Sequence, residues 1–386
     1  MHAPALPRPV NIASIAAAIA AISVVGLGLA LSIPLLAFEL HDRGISSTWI
    51  GINTAVGGLA TIALAPFLPD LVRRLGAGPL LLAAILSAAL SLLAFKFTAS
   101  FVLWFPLRFI FGAALCVLFV VSEFWINAAA PNHRRGLVIG IYGTVLSVGF
   151  AGGPAILSLV GTQGWAPYLC GAVFFALAGI PVLIGAASAP AIEKESTSGS
   201  VWTLMRIAPA ATLAAFIFGA VETGLINFLP LYGLRRGLDE GEAALLLTVA
   251  ELGNVALQLP LGLLSDKLDR RRMLLACGII GVVGSFLIPH LAIDSWALWI
   301  AAFFTTGIVA GLYTVGLALL GARFDGAALA TANAAFVMLY SIGLTVGPTA
   351  VGGGMQILDP HGFAWTIGAF LLLYVLVVAG QIWRDR

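Results

Sequence analysis

The chain has 386 residues, of which 61% are hydrophobic and only 9% charged, and its net charge is +2. Mean hydropathy is +1.07, whereas a water-soluble domain is about one quarter charged, so this composition cannot make a soluble surface. Near-neutral charge without basic runs interleaved with aromatics excludes nucleic acid as a partner, and Cys116, Cys170 and Cys277 are scattered singly through apolar runs as small core residues, without disulfide or metal-ligand spacing.

Apolar runs recur from one end to the other. A helix crosses a bilayer with about 20 mainly apolar residues, while barrel strands of about 9 to 11 alternating residues would be too short for these runs. The first run, Ile12 to Phe38, exceeds the roughly 7 to 15 apolar residues of a cleaved leader and is expected to be retained. Twelve spans are predicted in chain order, over 11–39, 48–70, 78–98, 101–128, 136–160, 165–186, 208–232, 242–264, 273–292, 295–320, 327–351 and 362–383. The longest polar interruption, Glu193 to Ser200, predicts a linker over 190–206 between an amino-terminal bundle, 1–189, and a carboxy-terminal bundle, 207–386. The fold class is an all-α membrane protein of two pseudo-symmetric six-helix bundles.

Arg73, Arg74, Arg134, Arg135 and Arg270 to Arg272 fall on the side of the termini, and Arg43, Lys96, Arg235 and Arg236 on the other. The excess of cations predicts both termini in the cytoplasm, with the protein in the inner (plasma) membrane. The halves repeat at an offset of about 194 to 196 positions: Arg43-Gly44 matches Arg236-Gly237, Asp70 matches Asp266, Gly112 matches Gly307, and Gly149, Gly153 and Pro154 match Gly343, Gly347 and Pro348. Duplicated membrane bundles pack around a central solute path.

After the eighth span comes Gly262-Leu263-Leu264-Ser265-Asp266-Lys267-Leu268-Asp269-Arg270-Arg271-Arg272. It resembles the cytoplasmic loop motif of the major facilitator superfamily, with Asp269 where that pattern has glycine. The first-half counterpart, Pro66 to Arg74, is more degenerate but keeps Asp70 and Arg74 four positions apart. The resemblance implies the major facilitator fold and a cytoplasmic latch of Asp70, Arg74, Glu123, Gly262, Asp266, Arg270 and Arg271. An aspartate–arginine contact of this kind can hold helices in one conformation and release them in another. Plain topology signalling by the arginines, or local pairing of Glu123 with Arg134 or Arg135, is the alternative.

In the fourth span, Arg108 and Gly112 resemble the superfamily's Arg-x-x-x-Gly element. An arginine inside an apolar helix either faces the bundle interior, where it finds a carboxylate or water and can take part in proton coupling, or snorkels to the interface. In the fifth span, Gly140, Gly149, Gly153 and Pro154 resemble the start of the antiporter pattern, which implies export; close helix packing explains the same residues.

Carboxyls inside the spans are the clearest pointer to coupling, because a desolvated acid can take up and release a proton as access alternates. Glu222 comes first, in the apolar middle of Phe216 to Leu231 with Asn227 beyond it; Glu251, on a stripe with Asn254 and Gln258, comes second. Glu39 lies near the outer boundary, where it is either a further coupling acid or a solvated one. Asn53, Thr54, Asn127, Asn227, Asn254, Gln258 and Asn333 line a cavity or bridge helices, and Trp104, Trp125, Trp296 and Trp299 read as an interfacial belt.

The reading is therefore a monomeric secondary transporter in the lipid bilayer that moves a small solute by alternating access, with proton-coupled export first. Proton symport or facilitated passage of a metabolite, or a transport-dead membrane sensor, are the alternatives. No cofactor or metal is expected, the proton gradient being the energy source, and no grouping of catalytic residues suggests an enzyme.

Overall fold

The computed structural model describes residues 12–129, 135–188, 209–265, 267–324 and 326–384. Fourteen α-helices account for nearly all of them, with no strand among the described residues. The first half holds α1 (Ile12–Asp42), α2 (Ser47–Leu64), α3 (Leu68–Leu75), α4 (Ala77–Phe97), α5 (Trp104–Ala129), α6 (Arg135–Val160) and α7 (Ala166–Gly185). The second holds α8 (Pro209–Arg235), α9 (Glu240–Ser265), α10 (Arg270–Leu287), α11 (Trp296–Val309), α12 (Gly311–Gly321), α13 (Gly326–Ile357) and α14 (Gly362–Arg384). Eleven segments among the described residues are long and apolar enough to cross a membrane, and α6 adds a shorter apolar stretch, Thr144–Val160. The predicted linker over 190–206 lies outside the described residues.

Two predicted spans are interrupted. The second, predicted over 48–70, runs on to Leu75 through a tight turn at Ala65–Phe67, where Pro66 and Pro69 remove backbone donors and α3 restarts with proline in its first turn. The tenth divides at Ala310; at Gly311, which follows, a Cβ would come within 2.9 Å of the Cys277 sulfur.

The start of α1 meets the ends of α5 and α7 on the face that carries both ends of the described chain, termed here the terminal face. The Trp125 indole donates to the Ser14 hydroxyl at 2.6 Å, and Gly185 packs against Ala13 and Ala17. On the far face, Arg43 donates to the carbonyls of Thr98 (3.0 Å) and Ala99 (3.3 Å), closing the turn between α4 and α5. Arg236, its match in the repeat, does the same for the turn after α10, reaching Leu291 O at 2.9 Å and Pro289 O at 3.4 Å. Each arginine is followed by a glycine with positive φ, Gly44 (75°) and Gly237 (106°), a backbone that side-chain-bearing residues rarely adopt.

The repeat is also visible in helix packing. Gly112 of α5 abuts Gly57 of α2, and Gly307 of α11 abuts Gly253 of α9; a Cβ on Gly112 or Gly307 would lie 2.6 or 2.4 Å from the facing backbone. Gly149 and Gly153 bring α6 onto α1 at Gly26 to Leu31, and Gly343 and Gly347 bring α13 onto α8 at Phe216 to Ala220. Glycines without side chains thus let four helix pairs approach backbone to backbone.

Trp104 and Trp125 correct the reading of an interfacial belt: both are fully buried, each indole N–H held by a partner, Thr98 O and Ser14 Oγ respectively. Trp296, by contrast, is 82% exposed and fits a belt position. Cys116 and Cys277 are buried and Cys170 half-buried, all three free.

Candidate functional site between the halves

The halves meet along α2 against α13, α6 against α9 and α1 against α8. On the far face this seam is closed. Arg235 at the end of α8 donates to Ser47 Oγ at 2.8 Å and pairs with Asp359; the Thr48 amide donates to Gln356 Oε1 at 3.3 Å, and Gln163 donates to Glu240 at 3.1 Å. Gly51, Gly58 and Gly352 continue the closure inward, since a Cβ on any of them would strike the opposite half at 2.1 to 2.4 Å. Glu240, so engaged, lies in a first turn whose end is capped reciprocally: the Glu242 amide donates to Asp239 at 2.8 Å and the Asp239 amide to Glu242 at 3.1 Å.

Between the levels of Gly51 and Gly58 stands a polar chain from one half to the other. Arg108 of α5 donates through Nη2 to Thr54 Oγ1 of α2 at 3.1 Å, Thr54 donates to Asn227 Oδ1 of α8 at 2.9 Å, and Asn227 donates back to Thr223 O at 2.7 Å. The register follows from the parallel packing of α2 and α5. Gly57 faces Gly112 and Thr61 faces Cys116 (3.9 Å), which sets Asn53 level with Arg108 one turn nearer the far face. Arg108 is 3% and Asn53 1% exposed, so the arginine faces inward and does not snorkel. Its partner is a hydroxyl: no Asp or Glu lies within ion-pairing distance among the described residues.

A second cluster belongs to the carboxy-terminal half. The Tyr340 hydroxyl of α13 donates to Glu222 Oε2 of α8 at 2.5 Å, and the Asn254 amide of α9 donates to Glu251 Oε2 at 3.5 Å. Glu251 is 2% exposed. Phe218 stacks on Tyr340 at 6.0 Å between ring centres and Tyr313 of α12 meets Tyr340 edge-on at 5.5 Å. Glu222, Tyr313 and Tyr340 are each half-buried, and Glu123 of α5 is exposed. Gln258, one turn beyond Asn254, is half-buried.

The predicted cavity residues are therefore not one constellation. Arg108, Asn53 and Asn227 stand at the seam; Glu222, Glu251 and Asn254 stand together in the second half. Glu39 is in neither. Its carboxylate accepts from Arg43 (2.9 Å), Lys96 (2.9 Å) and the Tyr168 hydroxyl (3.2 Å), tying α1, α4 and α7 together at the far face. The side chains of Asn127 and Asn333 and the surroundings of Gly140 lie outside what is described.

At the terminal face Asp70 pairs with Arg73 at 2.6 Å, three residues on along α3, and no Asp70–Arg74 pair forms among the described residues. Asp266 lies outside the described residues. Asp269, the departure from the loop motif, accepts the Arg272 amide at 2.8 Å and caps α10. Outside the spans, His361 is held below its ordinary imidazole range by partial burial and by the charge of Arg236.

Tyr340 and Tyr313 are the site residues not anticipated from sequence. A tyrosine inside an apolar helix needs a partner for its hydroxyl: Tyr142 pairs with Ser122, Tyr168 and Tyr374 donate to Glu39 and Ala210 O, and the Tyr232 oxygen accepts from Arg236. That requirement was the available signal for pairing Tyr340 with an acid.

Comparison with known proteins agrees with this architecture. YfkF, an uncharacterized MFS-type transporter of Bacillus subtilis (strain 168), is 25% identical over 368 residues, covering 94% of this chain and 92% of its own. YcaD of Salmonella arizonae, also an uncharacterized MFS-type transporter, is 25% identical over 364 residues, covering 92% and 93%. Among solved structures, the nucleoside transporter NupG superposes with a TM-score of 0.77 at 13% identity, over 96% of this chain and 99% of that one, a likeness of fold. The family model of the Major Facilitator Superfamily matches residues 13–243 and again 211–386, so the chain belongs to that superfamily of membrane transporters.

Proposed function

We propose that the protein is a proton-coupled transporter that exports a small solute by alternating access, with Glu222 and Glu251 carrying the coupling proton. The observation that carries this reading is a pair of carboxyls inside one half, Glu251 buried and Glu222 bonded to Tyr340, with no Lys or Arg in ion-pairing distance among the described residues. Two carboxylates of one helical half, one buried and one half-buried, are costly to keep charged together without a cation, and the counter-charge most readily supplied is a proton.

Alternation is supported by the distribution of contacts. The far face is sealed by Arg235–Ser47, Gln356–Thr48 and Gln163–Glu240, while Glu123, nearer the terminal face, is exposed. With both termini in the cytoplasm of the inner membrane, as the cation distribution predicts, this is a state open inward. Rocking the halves would break the far-face seal and give Glu222 and Glu251 access to the other side. Export is the direction implied by the glycine pattern of α6, whose Gly149 and Gly153 seat it on α1.

The test is flux in reconstituted vesicles, using solutes first found by thermal stabilisation of the purified protein. Solute movement against an imposed proton gradient supports antiport; movement with the protons makes the protein a symporter. Glu222→Gln and Glu251→Gln should each lower gradient-driven flux at least tenfold while leaving solute–solute exchange, which needs no net proton movement, largely intact. Unchanged proton coupling in both variants would remove these residues from the mechanism.

A further inference from the structure

We propose that Arg108, with Asn53, Thr54 and Asn227, forms a binding subsite for a monovalent anion, and that its occupant is the carboxylate of an organic solute. Arg108 Nη1 is buried with no hydrogen-bond partner, and so is Asn53 Nδ2. Both are donors, and the register of α2 on α5 sets them at the same level. Among the described residues the only hydrogen-bond partner of the guanidinium is Thr54 Oγ1, a neutral acceptor. A buried arginine without a carboxylate is among the costliest arrangements in a membrane protein, and a water molecule satisfies its hydrogen bond without balancing its charge. A bound anion does both.

The single cation sets the valence. One guanidinium and one amide, with no second Lys or Arg in hydrogen-bond contact among the described residues, neutralise one negative charge; a dianion would leave charge buried and uncompensated. A carboxylate offers two oxygens in one plane, suited to an arginine N–H and an amide N–H approaching from neighbouring helices. The position also suits a transported ligand. Thr54, which holds Arg108, is the residue that bonds across the seam to Asn227, so parting the halves at the far face uncovers this level once the contacts at Ser47, Thr48 and Gly51 have opened. The entry route rests on the alternating-access reading above; the anion site itself does not depend on proton coupling.

The experiment is thermal stabilisation of the full-length protein in neutral detergent at fixed pH and ionic strength, titrated with sodium acetate, benzoate, chloride and sulfate. Saturable stabilisation by acetate and benzoate, weak or absent with sulfate, is expected in the wild type and lost in Arg108→Gln. Asn53→Ala keeps the charge and removes one donor, so it should weaken the apparent affinity roughly 3- to 10-fold, and it serves where Arg108→Gln does not fold. Saturation by chloride alone would overturn the solute carboxylate in favour of a free inorganic ion. Equal responses in wild type and Asn53→Ala, or no saturable response to any anion, would overturn the subsite and leave water as its occupant. Because no pH gradient is present, failure here is distinguishable from failure of Glu222→Gln and Glu251→Gln to change proton-driven flux.

Discussion

The Thr54 hydroxyl and the Asn227 side-chain oxygen, 2.9 Å apart, join the two halves of the molecule one step from the buried Arg108. When the far face opens this bond breaks, whereas the bond from Arg108 to Thr54 lies within the first half and need not. Thr54→Val keeps the shape and removes the hydroxyl, so its differential effect is that of one neutral hydrogen bond, about 1 kcal/mol or about fivefold in the ratio of closed to open far face. Spin labels at the exposed loop residues Ser100 and Asp294, one on each half, should show a larger population of long distances in the variant. An unchanged distance distribution would mean that Thr54–Asn227 does not bias the equilibrium.

Facing glycines in the first half should respond unequally to alanine. A Cβ on Gly112 would stand 2.6 Å from the Gly57 Cα, whereas a Cβ on Gly57 meets nothing within 4 Å. Gly112→Ala must push α2 and α5 apart and is expected to cost about 1 to 3 kcal/mol. Gly57→Ala should be neutral or stabilise by up to about 1 kcal/mol through helix propensity. Thermal denaturation in detergent compares them directly, and equal losses would refute the one-sided contact.

Asp269 stands where the superfamily loop pattern has glycine, and its cap on the Arg272 amide explains the exchange. Asp269→Ala should destabilise the protein by about 1 kcal/mol, while Asp269→Gly, which restores the pattern, should cost only a few tenths. If the two substitutions are indistinguishable in melting temperature, the carboxylate is not acting as a cap.

Much of this was legible in the sequence because lipid imposes simple demands. Apolar length located the crossings, and the repeat placed Arg43 with Arg236 and Gly112 with Gly307 before their matching contacts were seen. Arg43, Lys96, Arg235 and Arg236, placed by sequence on one side, are all fastened there to Glu39, Asp359 or backbone carbonyls. Contacts between distant helices were not legible. Nothing local to Glu39 announces Lys96 and Tyr168, and nothing local to Arg108 shows that its neighbour is Thr54 and not an acid. Trp104 and Trp125 misled for the same reason: position near a helix end is a one-dimensional cue, and burial depends on which face packs against a neighbour.

Charge transfer per cycle connects the acid pair to the Arg108 subsite and separates the possible stoichiometries. If one proton enters while one monoanion leaves, both movements carry positive charge inward, and two charges cross per turnover. At about 100 mV each charge contributes about 2.3 kcal/mol, so the potential alone contributes about 4.6 kcal/mol to export. A proton and a monoanion travelling together carry none, and a proton exchanged for a neutral solute carries one. Vesicles clamped with potassium and valinomycin, at equal pH on both sides, should therefore show carboxylate flux that accelerates steeply with an inward-directed potential for positive charge, and solid-supported membranes should record a current on a solute jump. Glu222→Gln should abolish the proton's share and halve the charge moved per solute, whereas a potential-independent flux in the wild type would leave electroneutral symport as the mechanism for an anionic solute.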